Sequence, residues 1–158
     1  MFIIDGHNLL HTIFKVEGDS GAISDVGLCR ILSRYFSLTS EKGEIIFDGT
    51  GPPDKGGFDN ISNLEVFFAG PGTDTDTVIE DKISASTAPK GLTIVSSDRR
   101  LRSAARKRKA TSIKSDVFWN DVHKQLSKKR PVKEPTEKRQ GLTEGETEQW
   151  LEFFGFEQ

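Results

Sequence analysis

Asp5, Asp48 and Asp98 occupy one recurring position in this 158-residue chain. Each follows a short apolar run: Phe2-Ile3-Ile4, Glu44-Ile45-Ile46-Phe47, and Leu92-Thr93-Ile94-Val95, the last with Ser96-Ser97 between. Such runs read as buried strands of a parallel sheet, whose carboxyl ends line one edge, where open α/β sheets bind ligands. A further acidic group lies in residues 72–83, GTDTDTVIEDKI, which hold Asp74, Asp76, Glu80 and Asp81. This stretch follows another apolar run, Asn63 to Ala69, and so reaches the same edge. Taken alone it is a capped helix, whose free N–H groups and macrodipole tolerate acids in the first turns. Set beside three strand-end aspartates, it reads as part of a cation site. Carboxylates gathered at one edge repel one another, and a cation offsets that cost. Oxygen ligands of this kind suit Mg²⁺ or Mn²⁺. The chemistry such a site supports is phosphodiester hydrolysis: metal acidifies a bound water and stabilises the attacking and leaving oxygens.

Within the stretch, Asp76 and Glu80 are four apart and share a helix face. Asp76 is the best ligand, Glu80 supports it from the next turn, Asp74 is a cap or a ligand, and Asp81 faces solvent. The expected metal-binding set is Asp5, Asp48, Asp74, Asp76, Glu80 and Asp98, with Asp5, Asp76 and Asp98 catalytic. Other chemistries lack their signatures. There is no Ser or Cys triad, no P-loop and no dinucleotide glycine fingerprint. An aspartyl-phosphate phosphatase needs a DxD arrangement after the first strand, which Asp5-Gly6-His7 does not supply. His7 and His11 read as substrate contacts or exposed side chains rather than as general bases.

Residues 99–109, RRLRSAARKRK, carry seven Arg or Lys and no acid. As a helix starting beside Asp98, they would set Arg99, Arg100 and Arg102 near the metal site and Arg106 farther along. Such side chains can follow a nucleic-acid backbone through its phosphates. Asn8 is either a helix cap or a group that holds Asp5 or a substrate phosphate. Phe58 is a weak candidate for base stacking. Charge is strongly segregated: the balance is −7 over residues 1–97, +10 over 98–139 and −5 over 140–158. An acidic site beside a basic surface suits a polyanion that must be held and approached by metal ions.

The elements that must position these groups alternate. Strands end at Asp5, Asp48, Ala69 and Val95, with a short fifth at Thr111-Ser112-Ile113. A short helix or turn follows Asp5. Residues 23–39 have the spacing of a core-facing helix. The loop 49–60, GTGPPDKGGFDN, is long enough to be functional or mobile. Ser115 or Asp116 caps a last helix bearing Val117, Phe118, Trp119, Val122 and Leu126. The pattern predicts a three-layer α/β/α sandwich with a central parallel sheet over residues 1–127. A basic flexible linker is expected at 128–142 and a short amphipathic helix at 143–158, opened by a Thr143 to Glu146 capping box. Cys29, the single cysteine, excludes an internal disulfide and a Cys-rich zinc site, and reads as a small core residue. The opening MFIIDGHN has no basic flank or long apolar run, so a soluble cytoplasmic protein with no membrane partner is expected.

Four motifs in order, IIDGHN at the N-terminus, FDG at 47–49, TDTDTVIEDKI at 73–83 and VSSDRRLRSAA at 95–105, closely resemble the YacP-like NYN domains of the PIN-like nuclease superfamily. The resemblance covers about residues 1–127. It implies a PIN-like fold and divalent-metal-dependent endoribonuclease activity, with RNA as partner and, for some members, the ribosome. Carried over by motif, Asp5 is the first strand acid, Asp76 the acid of the helix start and Asp98 the acid after the fourth strand. Asp48 fits the position after the second strand, and Asn8 the Asn of DGxN. His7 stands where Tyr is usual, and Asp74 is an extra acid. The alternative function is a PIN-like RNA-binding module, weak or inactive in catalysis, acting on ribosomes or RNA complexes.

Overall fold

A computed structural model describes residues 1–18 and 23–129. The expected linker from residue 130 onward and the expected helix at 143–158 lie outside the described residues. Five strands form one parallel sheet: β1 (Phe2–Asp5), β2 (Gly43–Phe47), β3 (Leu64–Phe68), β4 (Thr93–Val95) and β5 (Thr111–Ile113), in the order β3-β2-β1-β4-β5. Among the described residues the α-helices are α1 (Gly6–Glu17), α2 (Asp25–Thr39), α3 (Thr75–Ala85), α4 (Arg99–Lys107) and α5 (Ser115–Lys129).

The strands are apolar on both faces because both faces are covered. Ile4, Ile45, Phe47 and Val95 pack beneath α1, α2 and α5, together with Leu9, Ile13, Leu32, Phe36, Trp119 and Val122. Ile3, Ile46 and Ile94 alternate to the other face and meet Ile79, Ile83, Leu101 and Ala105 of α3 and α4. The result is the expected α/β/α sandwich. Cys29 sits fully buried in the first layer, where burial pushes its thiol up to about 12.

Two expectations are corrected. The segment after Asp5 is no short helix or turn but a twelve-residue helix, α1, which buries Leu9 and Ile13 one turn apart. Phe58 is no free stacking group. The β2–β3 connection carries a 3-10 turn, Gly56–Phe58, and Phe58 packs, partly buried, against the core. Its ring lies 5.4 Å from Phe68 and 6.5 Å from Phe47. α5 is pinned to its neighbours by polar contacts. The Tyr35 hydroxyl donates to Asp121 at 2.6 Å, and the Trp119 indole donates to Glu17 at 3.1 Å.

The order β3-β2-β1-β4-β5 places the switch in winding direction between β1 and β4. From β1 the chain goes to β2 and β3 on one side, then returns to β4 and β5 on the other. Asp5 and Ser96 therefore flank the crevice where open α/β sheets bind ligands. β1 passes into α1 without a loop, and Gly6 makes this possible. A Cβ on Gly6 would lie 2.5 Å from Phe47 Cδ1 and 2.9 Å from the Ile46 carbonyl oxygen. Gly6→Ala is therefore expected to cost at least about 1–3 kcal/mol, as overpacking against backbone does. Urea unfolding measures this, and an unchanged midpoint would show that the junction has slack.

Candidate active site

Asp5 is the last residue of β1 and the N-cap of α1. Its Oδ1 accepts from the Asn8 N–H at 3.3 Å and its Oδ2 from the Ser96 hydroxyl at 3.1 Å. The residue is 6% exposed. Burial pushes its carboxyl up to about 6, against the lowering effect of both hydrogen bonds, and the charges of Asp76 and Asp48 push the same way.

Asp76 sits in the first turn of α3, half-buried. Its carboxyl is also raised, first by burial, then by Asp98, with Asp74 and Asp48 adding to the effect and Arg100 opposing it. The strand-end acids and the acidic helix start are thus brought together at one edge, close enough for their charges to act on one another.

The remaining acids are engaged in positioning that edge. Asp48 Oδ1 accepts from the Thr75 N–H at 3.1 Å and the Thr75 hydroxyl at 2.6 Å, tying the end of β2 to the start of α3. That hydroxyl is the main reason its carboxyl lies below the ordinary value. The Asp48 N–H donates to His7 Nδ1 at 3.2 Å, which also places that ring 3.4 Å from Asp48 Oδ2. Asp74 is the N-cap of α3, accepting from the Thr77 N–H at 2.8 Å. Asp98 caps α4 in the same way, accepting from the Arg100 N–H at 2.8 Å. Asp81 is exposed, as expected.

Two expected roles change. Glu80 does not offer a free carboxylate. Arg100 Nε donates to Oε2 at 2.7 Å and Nη2 to Oε1 at 2.8 Å, a bidentate pair that occupies both oxygens. Arg100 is correspondingly not a free phosphate contact. Its Nη2 also reaches Thr77 Oγ1 at 3.4 Å, and its Nη1 lies 4.0 Å from Asp76 Oδ2. A pairing across twenty residues is invisible to helix spacing. Of the other arginines, Arg99 and Arg106 are exposed, while Arg102 is half-buried with its Nε out of contact with water and with any hydrogen-bond partner among the described residues.

Asn8 works inside the protein. Its Oδ1 accepts from the Ser97 N–H at 3.0 Å and the Ser115 hydroxyl at 2.6 Å. Both lone pairs of that oxygen are used, so only its amide NH₂ remains for a substrate. Ser97 Oγ accepts from the Ser115 N–H at 3.1 Å, and Ser96 Oγ from the Asp98 N–H at 3.0 Å. These serines lock α1, the β4–α4 turn and the start of α5 together. Ser115 stands at the expected cap of α5, whereas Ser96 and Ser97 carry no local signal beyond lying between a strand and its acid.

No group of three or more His, Cys, Asp or Glu side chains among the described residues is placed to hold one metal ion. The donor set nevertheless fits a hydrated hard cation. Mg²⁺ is usually held by one or two carboxylates, with waters and substrate phosphates completing its shell. Asp5 and Asp76 are the two carboxylates whose charge the surroundings disfavour, so they gain most from a cation.

The sequence model of the YacP-like NYN domain matches residues 2–153. The chain belongs to that family. The match runs past residue 127, and α5 itself continues through Lys129. Among solved structures, Rae1 (YacP) from Bacillus subtilis superposes with a TM-score of 0.72 at 19% identity, covering 98% of this chain and 92% of that one. A point mutant of the same protein gives a TM-score of 0.64 at 15% identity, over 96% and 91% of the two chains. At such identities the likeness shows the fold. No curated protein matches in sequence. Among the described residues, no helix is long and apolar enough to cross a membrane.

The Asp5 environment sets a pH signature. The folded carboxyl titrates near 6 against an ordinary 3.8, so the folded state binds the proton more tightly than the unfolded chain. The stability present below the ordinary value is lost as pH rises through about 6, a cost of roughly 3 kcal/mol at neutral pH. Asp5→Asn keeps an acceptor for Asn8 and removes the charge. The variant is expected to exceed the native protein in stability by up to about 3 kcal/mol near neutral pH, the gap closing toward pH 4. Urea unfolding across that range checks this. A variant less stable at neutral pH would mean that the folded site favours the carboxylate.

Proposed function

We propose that the chain is a divalent-metal-dependent endoribonuclease that hydrolyses RNA phosphodiester bonds at Asp5, Asp76 and Asp98. The observation that carries this reading is the pair Asp5 and Asp76. Asp5 is buried at the switch point of the sheet and Asp76 is half-buried at the start of α3; burial and neighbouring acids hold both above their ordinary range, with Arg100 offsetting only part of the effect at Asp76. Family membership supplies the nuclease-like context. Buried carboxylates that repel each other are a folding cost, and they persist where the charge is used.

A Mg²⁺ or Mn²⁺ ion, when bound, supplies an acidified water and charge to set against the phosphate oxygens. Asp5 and Asp76 would hold it, with Asp98 beside them at the start of α4. Ser96 orients Asp5 through the hydroxyl it donates, and Asp48 fixes α3 so that Asp76 stays in place. Arg99 and Arg106, exposed on α4, would take backbone phosphates of the RNA. The resemblance extends the setting to RNA carried by ribosomes.

The internal pairing of Glu80 with Arg100, and the lack of three converging ligands among the described residues, favour a second reading. In it the chain is an RNA-binding module with little catalysis. Purified protein incubated with single-stranded and structured RNAs decides between them. Cleavage with Mn²⁺ or Mg²⁺ that stops on chelation is the expected result; RNA binding with no cleavage in either metal supports the module. Asp76→Asn is expected to abolish cleavage and to leave RNA affinity equal or higher, since it removes a ligand and a repulsive charge together. Full activity in that variant would remove Asp76 from the site.

The basic helix gives an independent measurement. Arg99→Ala and Arg106→Ala should each weaken RNA binding without regard to sequence. Each should lower the slope of log affinity against log salt by about 0.7–1. Binding curves at several salt concentrations read this directly, and unchanged slopes would place the RNA on another face.

A further inference from the structure

Arg100 stands where a cation is wanted. It lies in the first turn of α4, two residues beyond Asp98, and reaches across to α3. Its guanidinium spans Glu80, at 2.7 and 2.8 Å, and Asp76, at 4.0 Å. An arginine that served only as a surface ion pair would need Glu80 alone. An arginine that served only the substrate would have no reason to be held by two hydrogen bonds in the free protein. Arg100 instead sets a permanent positive charge beside Asp76, one of the two acids that no other group in the site neutralises.

We propose that Arg100 is the resident counter-cation of the acidic edge and competes with the divalent ion for Asp76. This rests on the metal-dependent reading above. In the metal-free protein the guanidinium screens Asp76 and limits its repulsion of Asp98. When a divalent ion is taken up, two cations face one carboxylate, and Arg100 is held back on Glu80. Glu80 is then a positioning residue: it holds the guanidinium within reach of Asp76 and supplies no bond to the metal. The bidentate geometry suits that task, because a planar fork held at two points keeps its third nitrogen in a fixed direction.

The competition has a thermodynamic reading that does not depend on cleavage. Mn²⁺ binding is followed by the electron paramagnetic resonance signal of the free ion, in the native protein and in Arg100→Gln, Glu80→Gln and the double variant. Removing the guanidinium is expected to tighten Mn²⁺ binding by at least about threefold, the scale of one screened charge at a partly exposed site. Arg100→Gln should bind Mn²⁺ more tightly than the native protein, and so should the double variant, since Glu80 supplies no bond to the metal. Removing Arg100 should matter less in the Glu80→Gln background, where the guanidinium is no longer held beside Asp76. No tightening in Arg100→Gln overturns the proposal; a double variant no tighter than the native protein also overturns it, because the tightening in Arg100→Gln is then Glu80 acting as a ligand. If the native protein binds Mn²⁺ and Arg100→Gln binds it no better, this inference alone falls. If neither protein binds the ion, the metal-dependent reading falls with it.

A second measurement needs no substitution. The Arg100 Nη–H resonances of the native protein, which include the nitrogen facing Asp76, are followed as Mg²⁺ is added, alongside the side-chain carboxyl carbons of Asp5 and Asp76. A carboxyl shift together with a change in the Arg100 signal is the expected result. A carboxyl shift with the Arg100 signal unmoved overturns the competition even if the Arg100 variants fail to fold.

Discussion

Every helix that follows a strand in a parallel sheet begins at the same edge, and each beginning presents N–H groups that need acceptors. This is the constraint on which the rest of the molecule depends. Here α1, α3 and α4 are capped by Asp5, Asp74 and Asp98, each accepting from a backbone N–H one turn or less into its helix. Carboxylates are good acceptors for that purpose, and helix dipoles favour their charge. The topology that builds the sheet therefore collects acids at its carboxyl edge, and capping offsets part of the repulsion it creates. An acidic site is a natural product of this arrangement, needing only that one or two acids be left undercompensated.

Which acids those are is decided by hydrogen bonding and burial. Asp48, Asp74 and Glu80 are held below their ordinary range by Thr75, Thr77 and Arg100 respectively. Asp5 and Asp76 are driven the other way, chiefly by burial. Asp5 shows how decisive the second factor is: it caps a helix and accepts from Ser96, and burial still outweighs both. A set of like side chains is thereby sorted by environment alone into acids whose charge is compensated and acids whose charge is disfavoured. Ser96 links the two classes, donating to Asp5 and accepting from the Asp98 backbone, so the buried acid and the α4 cap are tied to one side chain.

What the sequence made legible was the part governed by local rules. Strand ends, the acidic start of α3, the basic α4 and the parallel sandwich all follow from periodicity and turn chemistry, because a strand buried on both faces must be an apolar run. α1 was read too short because polar His7, Asn8, His11 and Thr12 sit among its apolar positions, and their environment is tertiary. The Asn8 cluster was missed for a related reason. Serine is common in turns, and nothing local distinguishes Ser96, buried at the switch point, from Ser97, exposed beside it. Phe58 was read as a weak candidate for stacking because its contacts with Phe47 and Phe68 are tertiary and leave no trace in its neighbours. The pairing of Glu80 with Arg100 was not legible either, since it joins two helices twenty residues apart.

That last pairing changes how the basic helix is to be understood. Seven positive charges in eleven residues suggest a phosphate track along the whole of α4. In the folded chain two of them act as fasteners at opposite ends of α3. Arg100 grips Glu80 near its start, and Arg108 donates to the carbonyls of Ile83, Ser84 and Ser86 at its end, the closest contact being 2.6 Å. Cationic groups belong at a helix C-terminus for the same electrostatic reason that acids belong at the N-terminus. α3 and α4 are thus clamped at both ends. The acids at the start of α3 and the exposed arginines of α4 therefore hold a fixed relation to one another. The number of basic residues free to meet a polyanion is smaller than composition suggests. Those that remain are carried on a surface whose position relative to Asp5 and Asp76 is set within the protein by ion pairing and helix capping.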